Sequence, residues 1–312
     1  MKKLNILALL FLAISLHAQI ISGMIKSNDD QSAVPYAKIG IENENIGVIA
    51  DERGSFYFDL TDISRDKTVK IEVGGFEVFK TSVAELIKQN PQNILLNAKV
   101  RNIDEVKIRK KKLVAKNWGV KTKTKNVIYA VNPEVRGKGA LHETAIEFNT
   151  KKKAKIEKVK LNIPSFMSDK PVILRYTFYN EKDGMPGEEI STEDILVSLT
   201  ADKIVDGTFS LDISDKNIWV KDTFYVGIQF LTDFTGRINI SAALFRAGFI
   251  RTIFGEWEKM SIAAPAINID VKVDKKYKNE IEDNWKDADE TQEKRNIESL
   301  RNLKNIYNNR NN

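Results

Sequence analysis

Residues 23–60 read GMIKSNDDQSAVPYAKIGIENENIGVIADERGSFYFDL, and the spacing of apolar side chains in this stretch decides the fold. Apolar and polar residues alternate over short runs, and turn residues interrupt them, which is the pattern of half-buried strands. Ile21, Gly23 and Ile25 share one face of a first strand. Ala37, Ile39 and Ile41 share one face of a second, with Tyr36, Lys38, Gly40 and Glu42 opposite. Asn43-Glu44-Asn45 is turn chemistry, because asparagine tolerates left-handed backbone. A third strand is expected over 46–50. Asp51-Glu52-Arg53-Gly54 then fits a type I turn closed by a glycine at positive φ, as between hairpin strands. Phe56, Phe58 and Leu60 face one way on the fourth strand.

Gly23, the PYAKIGI run at 35–41, Gly47 and the DERGSFYF run at 51–58 together resemble the carboxypeptidase-regulatory-like domain. Gly74-Gly75-Phe76 stands where that family has an Ile-Gly-Tyr turn, keeping the aromatic and losing its hydroxyl. Segments 94–96 and 103–108 supply closing strands. The resemblance covers residues 20–108 and implies a seven-stranded, transthyretin-like β-sandwich of the kind found in Bacteroidetes cell-envelope proteins. It also implies an accessory module without peptidase residues; fold by itself does not license function.

Met1-Lys2-Lys3 followed by an apolar run from Leu4 to Leu16 reads as a secretory signal peptide over 1–18, with processing between Ala18 and Gln19. The run is shorter than the roughly 20 apolar residues of a membrane span. Export is therefore expected, to the periplasm or the outer-membrane periphery. The chain has no cysteine, which rules out disulfides, thiolate nucleophiles and Cys-based zinc sites. Of its two histidines, His17 leaves with the leader and His142 is left alone, so a multi-histidine metal site is not available. No G-x-S-x-G context accompanies His142. The formal charge is +6; without Lys2 and Lys3, 47 basic residues stand against 43 acidic ones, a balance of +4. That is mild for the length and does not call for nucleic acid.

Ser82-Val83-Ala84-Glu85 has the form of a capping box, and a short helix is predicted over 82–90, stopped by Pro91. From Val106 to Pro133 there is no acidic residue, while nine basic ones gather between Lys107 and Lys125. This places the end of the first domain at 108 and a basic linker at 109–126, able to touch anionic lipid or lipopolysaccharide by charge attraction. The regulatory-like module also precedes transporter barrels. At roughly 10 residues per strand, a 22-stranded barrel needs over about 200 residues in strands alone, and the 204 residues after Ile108 do not hold that plus turns and plug.

From 127 to 273 the pattern is again β. VILRYTFY at 172–179 is the clearest strand, with Ile173, Arg175, Thr177 and Tyr179 on one face. Phe224, Val226, Ile228 and Phe230 oppose Tyr225, Gly227, Gln229 and Leu231 in another. Asp183-Gly184 and Pro186-Gly187 mark a loop. About ten strands without intervening helices predict a second sandwich, jelly-roll-like. LRYTFYNEKDGMPGE (174–188), the run at 207–231 and INIDVKV (267–273) resemble a domain that follows the regulatory-like module in envelope proteins and implies no activity.

Three chemistries are open in this half. Trp219 and Trp257 are candidates for a sugar-binding face, with Trp118, Tyr179 and Tyr225 also available; core packing is the alternative for every one of them. Asp183, Glu188, Glu189, Glu193 and Asp194 gather around one loop and offer the carboxylates a hydrolase needs. Asp212 and Asp215 lack EF-hand spacing for calcium. Residues 274–312 are highly charged, with Tyr277, Ile281, Trp285 and Ala288 at helical spacing, and predict a charged helical tail. The sequence thus commits to an all-β chain of two sandwiches with that tail. Its expected function is a non-enzymatic binding or scaffolding protein of the envelope, without cofactor, whose partner is an envelope protein or a glycan. A carbohydrate-binding protein and a carboxylate-dependent hydrolase are the alternatives.

Overall fold

The computed structural model describes residues 19–99, 113–131 and 142–274. The leader up to Ala18, the closing strand at 103–108 and the tail beyond 274 lie outside the described residues. The first domain holds β1 (Ile20–Ser27), β2 (Lys38–Ile41), β3 (Gly47–Ile49), β4 (Ser55–Asp59), β5 (Thr68–Glu72), β6 (Phe79–Ser82), α1 (Val83–Leu86) and β7 (Gln92–Leu96). They form a three-stranded sheet, β4-β1-β7, facing a four-stranded one, β3-β2-β5-β6. Ile25, Ile39, Ile41, Leu60, Val69 and Ile71 are fully buried between them. Each such side chain contributes about 1.5–3 kcal/mol by leaving water. The expected sandwich forms, with β6 a strand the sequence reading did not foresee among its seven described strands.

Two local details differ from the sequence reading. The Asp51–Gly54 turn has the expected geometry: Gly54 sits at φ 73 and its N–H donates to Asp51 O at 3.0 Å. Asp51 Oδ1 also accepts from the N–H groups of Arg53 and Ser55, each at 2.8 Å. Yet this turn joins no hairpin. β3 pairs β2 while β4 pairs β1, so it carries the chain from one sheet across to the other. Secondly, α1 is a single turn. Ser82 Oγ accepts from Glu85 N–H at 3.1 Å, as a cap should, but the Glu85 carboxylate turns to Lys88 instead of back to Ser82.

The second domain holds β8 (Leu113–Gly119), β9 (Ile128–Val131), β10 (His142–Asn162), β11 (Ser165–Ser168), β12 (Val172–Lys182), β13 (Met185–Glu189), β14 (Ile195–Leu199), β15 (Ile204–Val205) and β16 (Thr208–Asp212). β17 (Trp219–Phe230), β18 (Gly236–Leu244), β19 (Gly248–Thr252), β20 (Glu258–Met260), β21 (Ala263–Pro265) and β22 (Ile267–Asp274) follow. β10 is the spine of an eleven-stranded sheet. Its first half runs between β17 and β19, its second between β16 and β22. A four-stranded sheet of β9, β11, β18 and β21 covers one face, and Ile146, Leu161, Phe178, Val226, Ile238 and Ile269 fill the space between.

Residues 113–119, expected as solvated linker, are β8 instead, paired along its whole length with β22. Trp118 is the reason: it is 3 % exposed and part of the core. Likewise Pro186-Gly187 lies within β13 and not in a loop; the reversal is the two-residue Asp183-Gly184, both at positive φ, between Lys182 and its register partner Met185. That dipeptide is the tight-hairpin signature.

Candidate functional site

The outer face of the large sheet is where the chemistry collects. One row across four strands is polar throughout: Arg175 on β12, Gln229 on β17, Glu143 on β10 and Arg251 on β19 stand in register. Arg175, Gln229 and Glu143 are 3 %, 1 % and 1 % exposed. Alternation places these side chains on the face away from the sandwich core. They are buried because the first domain packs on them.

Its β2 makes the contact. Ala37, Ile39 and Ile41 fill the first core as expected, but the opposite face is covered as well. Lys38 is 3 % exposed, pairs Glu72 of β5 at 3.4 Å and approaches Glu143 Oε2 at 4.0 Å. A Cβ on Gly40 would lie 2.7 Å from Phe254 Cδ2, and one on Gly47 2.8 Å from Ile253 Cδ1. The Ile253-Phe254 turn reaches in with Ile253 at φ 37, a rare conformation for a β-branched residue. Gly74 closes the other end: a Cβ there would lie 2.7 Å from Asp194 Cα.

The charges form two linked groups. Glu143 Oε2 accepts from Arg251 Nε at 3.0 Å and Nη2 at 2.8 Å, while its Oε1 accepts from the Tyr179 hydroxyl, which itself accepts from Arg251 Nη2 at 2.9 Å. The Arg251 guanidinium also lies 4.5 Å from the Trp257 ring centroid, and Tyr179 meets that indole edge-on at 5.7 Å. In the second group Arg175 holds Asp194 in a fork, Nε to Oδ1 at 2.8 Å and Nη2 to Oδ2 at 2.7 Å. The same Nη2 donates to Tyr36 O of the first domain at 2.7 Å.

Burial and pairing pull the carboxyl groups in opposite directions. For Glu143 burial raises the pKa, but Arg251, Lys38 and the Tyr179 hydrogen bond outweigh it and hold it below the usual range. Glu72 is likewise lowered, by Lys38, Lys70 and Arg251 against burial. Glu189 goes the other way. Burial dominates, the Ser191 hydroxyl at 2.5 Å and Lys38 offset it only in part, and its carboxyl is pushed up to about 7. Buried ion pairs of this kind are strongly disrupted when one member is lost, because the other is then left uncompensated.

The residues singled out from sequence fall as follows. Trp257 is half-buried against Arg251, and Trp219, also half-buried, lies at the start of β17 under Lys153 at 5.6 Å. Tyr179 and Tyr225 are fully buried. Of the acidic loop, Asp183 and Glu188 are exposed, Glu193 pairs Lys216 at 2.8 Å, and Asp194 and Glu189 belong to the junction. Asp212 accepts from Ser214, and Asp215 lies 3.3 Å from Lys216. His142 Nδ1 is 3.1 Å from Thr252 Oγ1. Gln19 N–H donates to Thr61 Oγ1. Among the described residues no group of three or more His, Asp or Glu is arranged to hold a metal, and no helix is long and apolar enough to cross a membrane. Sequence reasoning missed Glu143, Arg251, Lys38 and Glu72. A charged residue at alternate positions of otherwise strong strands is the one sign they gave.

Residues 21–108 match the family model of the CarboxypepD_reg-like domain. No curated protein matches the chain. Solved structures are similar only distantly. A clostridial cysteine protease, Cwp84 after propeptide cleavage, has a TM-score of 0.38 at 8 % identity over 83 % of this chain and 66 % of that one. The cysteine protease and lectin-like domains of Cwp84, a surface layer associated protein of Clostridium difficile, give 0.35 at 10 % over 84 % and 60 %. The infectious bursal disease virus Gx strain gives 0.27 at 9 % over 83 % and 56 %. The chain therefore spans less than two thirds of the length of the structures it is similar to, at values that speak to no activity. The first sandwich is thus the part of the chain that matches the CarboxypepD_reg-like domain.

Proposed function

We propose that the chain is an exported, non-enzymatic protein of a Bacteroidetes-type cell envelope that binds or scaffolds a partner. The observation that supports this is how the junction spends its acids. Glu143 is saturated by Arg251 and Tyr179, Asp194 by Arg175, and Glu72 by Lys38 and Lys70. Groups committed to internal cations lock two sandwiches into one pose and are poor general acids or bases. A rigid two-domain body with long sheets suits a protein that holds others in place, through sheet edges or loops. The leader at 1–18 supports export, and the glycan or protein identity of the partner is the finer question.

Covalent cross-linking in the envelope followed by affinity purification tests this. A partner recovered reproducibly, and lost when the sandwich surface is altered, is the expected result. One observation favours the hydrolase alternative: Glu189 carries its proton near neutral pH, as a general acid must. Turnover of a glycoside or ester substrate abolished by Glu189→Gln, with the fold intact, would replace the binding reading.

A further inference from the structure

One corner of the second domain carries bulky apolar side chains where the chain crosses between its sheets. After β18 the chain turns through 245–247 into β19, and after β20 it returns through 261–262 into β21. β18 and β21 belong to the small sheet, β19 and β20 to the large one, so both turns bridge the layers. The Phe245 N–H donates to Ile262 O at 2.8 Å and holds the turns side by side. Phe245 is 58 % exposed and Ile262 76 %, with Leu244 exposed next to them. Phe245 sits at φ 60, a conformation that costs a bulky side chain and that glycine or asparagine adopts readily. Two other bulky residues at positive φ, Tyr36 and Ile253, are accounted for by the domain junction. At Phe245 the strained backbone presents a ring to solvent.

A basic strap borders this corner. Residues 121–125, between β8 and β9, read KTKTK. Lys123 and Lys125 are exposed, while Thr122 and Thr124 are half-buried. The Asn162 side-chain amide donates to Lys121 O at 2.9 Å and Thr122 O at 2.8 Å. Ser241 Oγ donates to Thr124 O at 2.8 Å, and Ala242 N–H to Val127 O at 2.9 Å. The strap is thus tied to β18 just before its apolar end, with both lysines in solvent. The acids of the region are Asp206, whose carbonyl accepts from the Lys123 ammonium at 3.1 Å, exposed Glu258, and Glu147, which attracts Lys259 and Arg246. We propose that this corner docks on a lipid bilayer with anionic headgroups, Phe245 and Ile262 entering the interface while Lys123 and Lys125 meet the headgroups. Protruding apolar side chains beside cations are what shallow insertion into an anionic surface uses. A protein groove is the poorer fit, because it would have to receive two separate turns at once, and a bilayer yields to both. This goes beyond the binding reading above, which involves no lipid.

The test is co-sedimentation of the full chain with phosphatidylglycerol vesicles at physiological salt, with phosphatidylcholine vesicles and soluble dextran sulfate as comparison probes. The proposal expects the anionic vesicles to bind tightest. F245N/I262Q should weaken that binding by about tenfold or more, since two bulky apolar side chains no longer leave water on docking. Asparagine suits φ 60, so the thermal midpoint of F245N should hold or rise, which separates docking from folding. K123Q/K125Q should weaken binding by about fivefold or more. Met167→Gln, a change at a side chain 57 % exposed and opposite Arg237 at the other end of β18, should leave it within about twofold. Because the chain has no cysteine, Ile262→Cys takes a polarity-sensitive dye at a single site. Its emission should shift to the blue on anionic vesicles, and the same dye on Met167→Cys should not respond. Equal responses at the two sites would overturn the proposal, as would dextran sulfate binding as tightly as vesicles with no effect of F245N/I262Q. A dye shift that grows with protein concentration alone would assign the corner to a second copy and overturn it too. A protein partner captured through Phe245 by a chain that ignores vesicles would also overturn it, and would leave the binding reading intact.

Discussion

Arg251→Met should be among the most damaging single changes outside the two cores. The methionine keeps much of the side-chain volume and removes the cation from Glu143, which is 1 % exposed. Breaking a buried pair by deleting one partner costs about 3–5 kcal/mol. Lys38 remains at 4.0 Å from Glu143 Oε2 and keeps part of the compensation, which points to the lower end. Loss of the stacking on Trp257 at 4.5 Å adds about 0.5–1 kcal/mol. The expected loss is therefore about 3–4 kcal/mol by urea unfolding. Glu143→Gln in the same background removes the stranded charge, so the double variant should be more stable than the sum of the singles by about 2 kcal/mol.

The pH dependence supplies an independent check with a definite sign. In the wild type, the Glu143 pKa is depressed, so its contribution is present at neutral pH and lost as pH falls through the folded value, below the ordinary carboxylate range. Without Arg251, burial becomes the leading influence and the folded pKa rises. The Glu143 contribution should then reverse, with the variant gaining stability relative to wild type as pH is lowered from 7 towards 5. A cost under about 1 kcal/mol, additive singles and an unchanged pH slope would refute the view that this junction is dry and coupled.

Glu189 makes the opposite demand. Its folded pKa is raised to about 7, so its contribution is fully present below the unfolded carboxylate value and is lost as pH rises through 7. The full shift is worth about 3 kcal/mol, which its partial exposure cuts to about 1–2 kcal/mol; Glu189→Gln should flatten the wild-type decline in unfolding midpoint between the ordinary carboxylate range and about pH 7. Gly74→Ala should cost about 1–3 kcal/mol by overpacking, because the new Cβ meets Asp194 backbone, and limited proteolysis between the domains should accelerate. Trp118→Ala should cost about 3–5 kcal/mol in thermal or urea unfolding, a result incompatible with residues 113–119 being a linker.

The first sandwich was legible because its pattern is local. Ile39 and Ile41 alternate with polar residues, Gly54 ends a turn that needs positive φ, and Ser82 announces α1. What the pattern does not carry is which sheet a strand joins. The Asp51–Gly54 turn has the same residues whether it closes a hairpin or crosses between sheets, since the difference lies in pairing tens of residues away. β8 was hidden for a related reason. Lysines at 116, 121, 123 and 125 gave it the composition of a solvated segment, and composition averages over faces. Trp118 was the one contrary residue, and its weight comes from the core it enters, which is assembled from β22 and β10 much later in the chain.

The junction was illegible for a deeper reason. Alternation tells a core face from a non-core face, and a polar non-core face is ordinarily wet. Lys38 in PYAKIGI and Arg175 in VILRYTFY both obey that rule perfectly. Their burial follows only when the two polar faces meet, and they can meet because their charges answer one another: Lys38 stands before Glu143, Arg175 takes Tyr36 O, and Gly40, Gly47 and Gly74 leave room for backbones to close. Neither face would be stable covered by an apolar partner, since each would strand a charge. Complementarity between the halves, which no single window contains, is what converts two separate sandwiches into one body. It also explains why Asp194, one of the acids that sequence offered to a hydrolase, is bound instead to Arg175.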